Sequence, residues 1–559
     1  MKSLFLILSV CLPLCFSLKA EEQVRERVFV HTDKDCYVAG ENILLKFYVI
    51  NPDFQPSGLS KVGYVEICNT EKPQMQLKVA LENGSGAGQI RIPMDIPSGV
   101  YQLSGYTRYM RNEGESAFFK KQIAIVNAGL ETPPDPKRFE LAEKQNPEKK
   151  QINQKTQTDL LVKTGRNEYG NREKVFLTID HIPENTADLV LSVSRNDSIA
   201  FAPEMNEQDW LKQVTSTFRF SQQWLPEYEG HIITGHVVPD PGKQQVLSSI
   251  AFVGNDIRYI NGQVNSQNDT ISYYTAGIYG KQQIVTTVVS NIYDKIPYRV
   301  DLLTPFDESL PAGLPVLQIY PDKKQLLERY LAVQIQQKMD NDSLYNSNQS
   351  SGYCTFQPLS SYDLDEYTRF NTVGETILEF ISRVHVSKSK GKRTIHVYLI
   401  ENQRYSTGTL VLLDGIPIYD HEDILNYNPM YIKRINVYDG RYTFGGESFE
   451  GIVSFITREG NLPFFQLGEG AQLLNYDCPQ LPLLNEIPDY STEQMKNSRK
   501  PDFRHTLYWN PFVKHANGQS DNLSFYTSDL CGEFKVTVEG ITTNGELIHG
   551  TTYFKVNMK

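Results

Sequence analysis

Between residues 27 and 127 the chain divides into seven short runs rich in β-branched and aromatic residues, at 28–30, 43–49, 63–67, 76–80, 88–92, 101–107 and 117–125. Gly, Pro and Asn interrupt them about every ten residues, a spacing that suits strands and tight turns. A strand keeps an apolar face dry only when a second layer covers it, so a series of this kind closes as a β-sandwich. Similar strand-rich stretches at 158–207, 228–305 and 500–559 predict further β units. The expected fold class is mostly β and multidomain.

The first residues set the compartment. Met1-Lys2-Ser3 precedes an apolar run from Leu4 to Phe16, and Ala20 precedes Glu21-Glu22. About 13 apolar residues behind a positive start read as a secretory signal peptide, here residues 1–20, and are too few to span a bilayer. Neither Cys11 nor Cys15 follows the small-residue pattern of a lipoprotein cleavage site. No later run approaches about 18 uncharged apolar residues, so no transmembrane segment is expected after cleavage. Net charge is −11, and −13 once Lys2 and Lys19 leave with the signal segment, which argues against nucleic acid as a partner. The remaining cysteines, Cys36, Cys68, Cys354, Cys478 and Cys531, are odd in number and lack CxxC spacing, so free thiols are expected.

One stretch carries a family resemblance. Val411-Leu-Leu-Asp-Gly-Ile-Pro-Ile-Tyr419 is followed by Ile435-Asn-Val-Tyr-Asp-Gly440, Thr443-Phe-Gly-Gly446 and Gly451-Ile-Val-Ser-Phe-Ile-Thr457. These pieces, in this order, resemble the plug domain of TonB-dependent outer-membrane receptors, placed at 365–460. The resemblance makes Asp414, Gly415, Gly440, Gly445, Gly446, Gly451 and Thr457 the plug-like structural motif. A receptor barrel needs roughly 22 strands of about 10 residues, more than the stretch after Thr457 holds. The expectation is a plug-like domain without a barrel.

Other segments resemble companions of such plugs. Thr32-Asp-Lys-Asp-Cys-Tyr-Val-Ala-Gly-Glu41 and Ile96-Pro-Ser-Gly-Val-Tyr-Gln-Leu-Ser-Gly-Tyr-Thr107 look like the turns of a macroglobulin MG2 domain, an immunoglobulin-like sandwich, at 27–127. A polar linker follows at 128–157, then a second immunoglobulin- or macroglobulin-like unit at 158–207 and a short helix-bearing connection near 209–224. Ile233-Thr-Gly-His-Val237 is similar to the first strand of a carboxypeptidase regulatory-like sandwich at 228–305. A helix at 320–337 with Leu326, Leu327, Tyr330, Leu331 and Ile335 in one apolar stripe is expected to pack on a core. The terminal sandwich looks macroglobulin-like. As a whole the chain resembles exported Bacteroidetes macroglobulin-like proteins with a plug-like domain and no barrel.

Motifs that would carry catalysis are weak. Cys531-Gly-Glu-Phe534 echoes the thioester segment of α2-macroglobulins, but phenylalanine cannot supply the acyl group that glutamine does. Asp420-His-Glu-Asp423 has metal-ligating side chains, yet four consecutive residues of a regular element cannot converge on one ion, so a helix cap is expected. His231 and His236, five apart on one strand, point to opposite faces. Ser387-Lys-Ser-Lys390 spells the Ser-x-x-Lys of acyl enzymes, but it lies in the basic run 388–393 expected at a hairpin tip rather than on a buried helix. Asp197-Ser-Ile199, Asp269-Thr-Ile271 and Asp342-Ser-Leu344 fit a short glycosylation pattern of exported proteins. No phosphate loop, nucleophile elbow, HExxH helix or dinucleotide fingerprint occurs.

These features imply a non-enzymatic protein without cofactor or metal, exported to the periplasm or associated with the outer membrane. The expected role is a cell-envelope binding or scaffold protein whose partners are envelope proteins, an outer-membrane β-barrel among the candidates. Two alternatives accompany it. One is an accessory subunit of a TonB-dependent uptake system; the other is a thioester-less macroglobulin-like protease-binding or adhesive protein.

Overall fold

The computed structural model describes residues 24–129, 139–141, 160–196, 207–240, 246–265, 270–289, 298–319, 323–339, 357–444, 447–482, 488–516, 518–520, 522–544 and 546–558. The expected signal segment 1–20, most of the expected linker 128–157, Gly445, Gly446, Cys354 and the three short candidate glycosylation patterns lie wholly or partly outside them. The architecture is mostly β, a set of sandwiches and one α+β unit.

In the first sandwich a three-stranded sheet runs in the order Arg27–Thr32, Asn42–Ile50, Ser85–Arg91. It faces a five-stranded sheet in the order Cys36–Val38, Phe119–Val126, Gly99–Thr107, Val62–Cys68, Pro73–Ala80. The strand Asn42–Ile50 is buried on both faces from Ile43 onward. Its odd-numbered side chains, Ile43, Leu45 and Phe47, enter the sandwich core. Alternation turns Leu44, Lys46 and Tyr48 the other way, where Leu44 packs on Val190 and Trp509 of another sandwich. A strand covered on both faces needs near-continuous apolar sequence, as the run from Ile43 to Ile50 provides.

That other sandwich corrects the expected division of the chain. Residues 158–207 and 500–559 do not form separate units. Thr186–Arg195 pairs antiparallel with both Gly532–Thr542 and Thr506–Asn510, with Leu191 opposite Val538 and Val193 opposite Val536. Lys174–Asp180 pairs with Leu161–Thr164 and with Leu523–Tyr526. The physical reason lies in strand number: Lys174–Asp180 buries only alternate residues, and a few short strands cannot close a core of their own.

The middle sandwich repeats the arrangement. One sheet runs Gln263–Asn265, Thr270–Tyr274, Ile232–Val238, Arg299–Leu302, and the other Tyr259–Asn261, Leu247–Phe252, Lys281–Val289, Ala471–Asp477. Its last strand therefore comes from far beyond the expected boundary at residue 305, pairing Ile284 with Leu474.

Within that return journey lies the α+β unit. A mixed sheet runs Ser360–Asp363, Ile432–Phe444, Glu447–Thr457, Leu410–Leu413, Ile416–Pro417, and Leu410–Leu413 is parallel to Glu447–Thr457. The hairpin Val384–Ser389 and Lys392–Leu399 and the helices Val373–Phe380 and His421–Leu425 close its core around Val411, Ile435 and Phe455. The helix Val373–Phe380 begins where the Thr372 side chain accepts the Glu375 N–H and Glu375 reaches back to the Asn371 N–H. The chain is thus nested: the α+β unit lies within the middle sandwich, itself within the closing sandwich.

Two further expectations change. Phe139–Leu141, inside the stretch read as linker, forms a parallel pair with Leu317–Ile319. The helix Lys323–Met339 buries Arg329, Ala332 and Val333, while Leu327 and Leu331 stay exposed. The helix lies on the turn after Cys36, where Arg329 Nε and Nη2 donate to the Glu41 carboxylate at 2.6 and 2.8 Å. Anchoring a guanidinium rotates the leucines outward. The connection near 209–224 holds the helix Glu207–Thr215, fixed by Trp210, whose indole N–H donates to the Val28 carbonyl.

Candidate functional site

Some of the residues singled out by the plug resemblance meet in space. Asp414 ends the buried strand Leu410–Leu413 with φ 45°, and its fully buried carboxylate accepts from Thr457 N, Thr457 Oγ1 and Leu462 N at 2.7, 2.6 and 2.9 Å. Gly415 follows at φ 80°; a Cβ there would lie 2.9 to 3.1 Å from three carbonyl oxygens of the 252–256 loop. The Asp414 carbonyl also accepts the Gly254 N–H, so this turn ties the α+β unit to the middle sandwich. Gly451 lies toward the other end of the parallel pair, against Val397, and Gly440 sits at the register shift between Tyr438 and Arg441. Structure therefore joins Asp414, Gly415 and Thr457 and keeps Gly440 and Gly451 apart from them. Leu462 is a member that sequence reasoning missed, because it contributes only a backbone N–H. With its acceptors engaged by protein donors, Asp414 is a structural anchor.

The remaining chemical candidates disperse. Asp420 caps the helix His421–Leu425 and meets Lys392 at 3.0 Å, while Glu422 pairs with Arg393 at 2.6 Å. The His421 Nδ1 accepts the Ile395 N–H. Among the described residues no group of three or more His, Cys, Asp or Glu side chains is placed to hold a metal. Ser387 Oγ lies 2.8 Å from His396 Nε2 on the hairpin, whereas Lys390 occupies the tip. Phe534 of the thioester-like segment is buried and stacks on Phe554. Cys36, Cys68, Cys478 and Cys531 are free thiols, and burial pushes Cys68 and Cys478 up to about 12.

A cleft of about 820 Å³ lies where the first, middle and closing sandwiches meet. Tyr48, Phe54 and Leu81 come from the first sandwich, Ile278 and Tyr279 from the middle one, and Phe512 and Ile541 from the closing one. Its charged lining is Lys61, Glu82, Asp188 and Glu229, and the buried His231 also lines it. Asp188 is engaged: Lys46 Nζ lies 2.6 Å away, and Ser85 Oγ donates at 2.6 Å. Burial brings Lys46 down to about 8, and its ammonium sits 3.6 Å from the centre of the Phe512 ring.

Beneath the cleft a buried polar junction ties first sandwich to middle sandwich. Tyr64 O–H donates to Glu227 Oε2 at 2.8 Å, His231 Nδ1 lies 2.9 Å from Glu227 Oε1, and Tyr476 O–H lies 2.6 Å from His231 Nε2. Burial, with the Lys78 ammonium beside it, lowers His231 to about 4, so near neutral pH it is an uncharged imidazole that donates through Nδ1 and accepts through Nε2. His236 belongs to the strand Ile232–Val238, whereas His231 lies just before it.

No protein-family model and no curated protein sequence matches this chain. Among solved structures it is similar to bacterial alpha-2-macroglobulins. The Salmonella protein reacted with methylamine shares 8% identity with a TM-score of 0.24, over 95% of this chain and 39% of that one. The native conformation from E. coli shares 9% at 0.23, over 96% and 40%. The elastase-activated Escherichia coli protein shares 7% at 0.24, over 96% and 44%. This chain thus spans about two fifths of the length of those proteins.

Proposed function

We propose that this chain is a non-catalytic binding or scaffold protein of the cell envelope, and that the three-sandwich cleft is its docking site. The observation that carries the reading is the construction of the cleft: three sheets converge on one apolar trough, and nested strands tie them covalently and by hydrogen bonding. Export rests on the signal-like residues 1–20. No helix among the described residues is long and apolar enough to cross a membrane. Affinity purification of the tagged chain from gently solubilised envelopes, read by mass spectrometry, tests the proposal. Stoichiometric partners support it, and recovery of the chain alone overturns it.

The assembled Asp414, Gly415 and Thr457 favour the second reading, an accessory subunit of a TonB-dependent uptake system. Co-purification of an outer-membrane barrel would select it. The MG2-like turn at Thr32 to Glu41 supports a third, a thioester-less protease-binding or adhesive protein. Cleavage within 131–158 that alters protease activity would select that one.

A further inference from the structure

We infer that the three-sandwich cleft receives an extended segment of a partner protein that presents a basic side chain among apolar ones. This rests on the binding-protein reading and gives it a ligand chemistry.

The mode of binding is already displayed by the protein's own chain. Residues 478–482 run extended along one side of the cleft, and Pro479, Leu481 and Pro482 line it. Cys478 N–H donates to the Gly280 carbonyl at 2.8 Å, and the Pro479 carbonyl accepts from Gly280 N–H at 3.0 Å. Gln480 then donates to the Lys78 carbonyl and accepts from Ala80 N–H, a one-residue parallel bridge to Val79. Its side chain accepts the Gln89 N–H at 2.7 Å. Sheet edges at this junction thus already accept an extended main chain on both sides, the geometry of strand addition.

Charge selects the side chains. Glu82 and Glu229 are exposed at the cleft, and among the described residues neither carboxylate has an ion-pair partner, whereas Asp188 is occupied by Lys46. Among the described residues Lys61 is the one lysine or arginine in the lining, and His231 is uncharged near neutral pH. The lining is therefore acidic at the exposed Glu82 and Glu229 and apolar at Phe54, Ile278 and Phe512. Tyr48 adds a buried hydroxyl with no hydrogen-bond partner among the described residues. A cationic side chain over the carboxylates, flanked by apolar ones in the trough, complements it.

The test uses the purified full chain and two fluorescein-labelled ten-residue peptides of identical apolar residues, one with a central Arg-Arg and one with a central Glu-Glu. Fluorescence polarisation is expected to show binding of the arginine peptide alone. Binding should be about five- to tenfold weaker in the Glu82→Gln/Glu229→Gln double variant and should weaken with added salt. Phe512→Ala is expected to weaken it independently of salt. Equal binding of the two peptides, no binding of either, or an unchanged double variant with the thermal transition of the wild type overturns the inference. The two proposals fail separately. Envelope partners recovered equally by wild type and double variant leave the binding protein standing and remove this cleft chemistry, whereas recovery of no partner removes the binding reading itself.

Discussion

Asp414 and Thr457, 43 positions apart, meet inside the α+β unit, where Thr457 donates both its backbone N–H and its hydroxyl to the Asp414 carboxylate at 2.7 and 2.6 Å. A third donor, Leu462 N–H, completes the set. Buried and fully engaged, this carboxylate holds the ends of two parallel strands in register.

Replacing Asp414 by Ala leaves two backbone N–H groups and a hydroxyl without their acceptor and places a non-glycine Cβ at positive φ without the side-chain bonds that favoured it. A loss of about 3 kcal/mol in local stability is expected. Thr457→Val, which removes one donor and keeps the shape, is expected to cost about 1 kcal/mol. Native-state hydrogen exchange of peptides covering 410–413 and 447–457 measures both.

Gly415→Ala meets both a positive φ and three carbonyl oxygens at 2.9 to 3.1 Å. A loss of about 2 kcal/mol, with faster exchange on both sides of the contact with residues 252–256, is expected. Gly451→Ala, with Val397 Cβ at 2.7 Å and φ 78°, should behave alike. Gly408→Ala, with nothing within 4 Å, is the control and should change stability by less than about 0.5 kcal/mol.

His231 gives a pH dependence with a defined sign. Its folded value, lowered by burial and by Lys78 from 6.5 to about 4, lies below the unfolded one, so the unfolded chain binds more protons between those values. Stability therefore rises from pH 4 to 6.5 and falls on acidification through the same window, by up to about 3 kcal/mol. Denaturant midpoints against pH should show this slope in the wild type and a flatter one in His231→Gln. The difference between the two curves isolates the imidazole from carboxylates such as Glu539, which titrate lower. Although burial opposes it, His31 and His549 hold Glu539 well below the usual carboxylate range.

Ending the chain at residue 500 removes the antiparallel partners of Thr186–Arg195 and the strand beside Lys174–Asp180. Amide protection is expected to collapse across 161–195. Val62–Cys68 and Gly99–Thr107, in the far sheet of the first sandwich, should keep theirs. Separately folding units would leave 161–195 protected.

Part of the candidate site was legible because its signal is local. Asp-Gly at 414–415 ends an apolar run, and the strand that reaches Thr457 has an apolar pattern of its own. The cleft was not legible: Tyr48, Ile278 and Phe512 are unremarkable in their own segments and become one surface only when three sheets converge. One hint was present, the near-continuous apolar run from Ile43 to Ile50, which needs cover on both faces and so implied a neighbour beyond its own sandwich.

Local sequence determined the β character, most strand positions, the hairpin around Lys390, the Asp420 cap and the Asp414–Gly415 turn, because alternation, capping and turn preferences act over a few residues. Tertiary structure alone decided which strands share a sheet. Thr186–Arg195 exposes the same pattern to any antiparallel partner, and nothing within it distinguishes a neighbour in sequence from Gly532–Thr542. The same freedom let Ala471–Asp477 complete the middle sandwich and Arg329, rather than Leu327 and Leu331, turn inward. Backbone hydrogen bonding is indifferent to sequence separation; the choice of partner falls to the packing of whole faces, a property of the assembled fold.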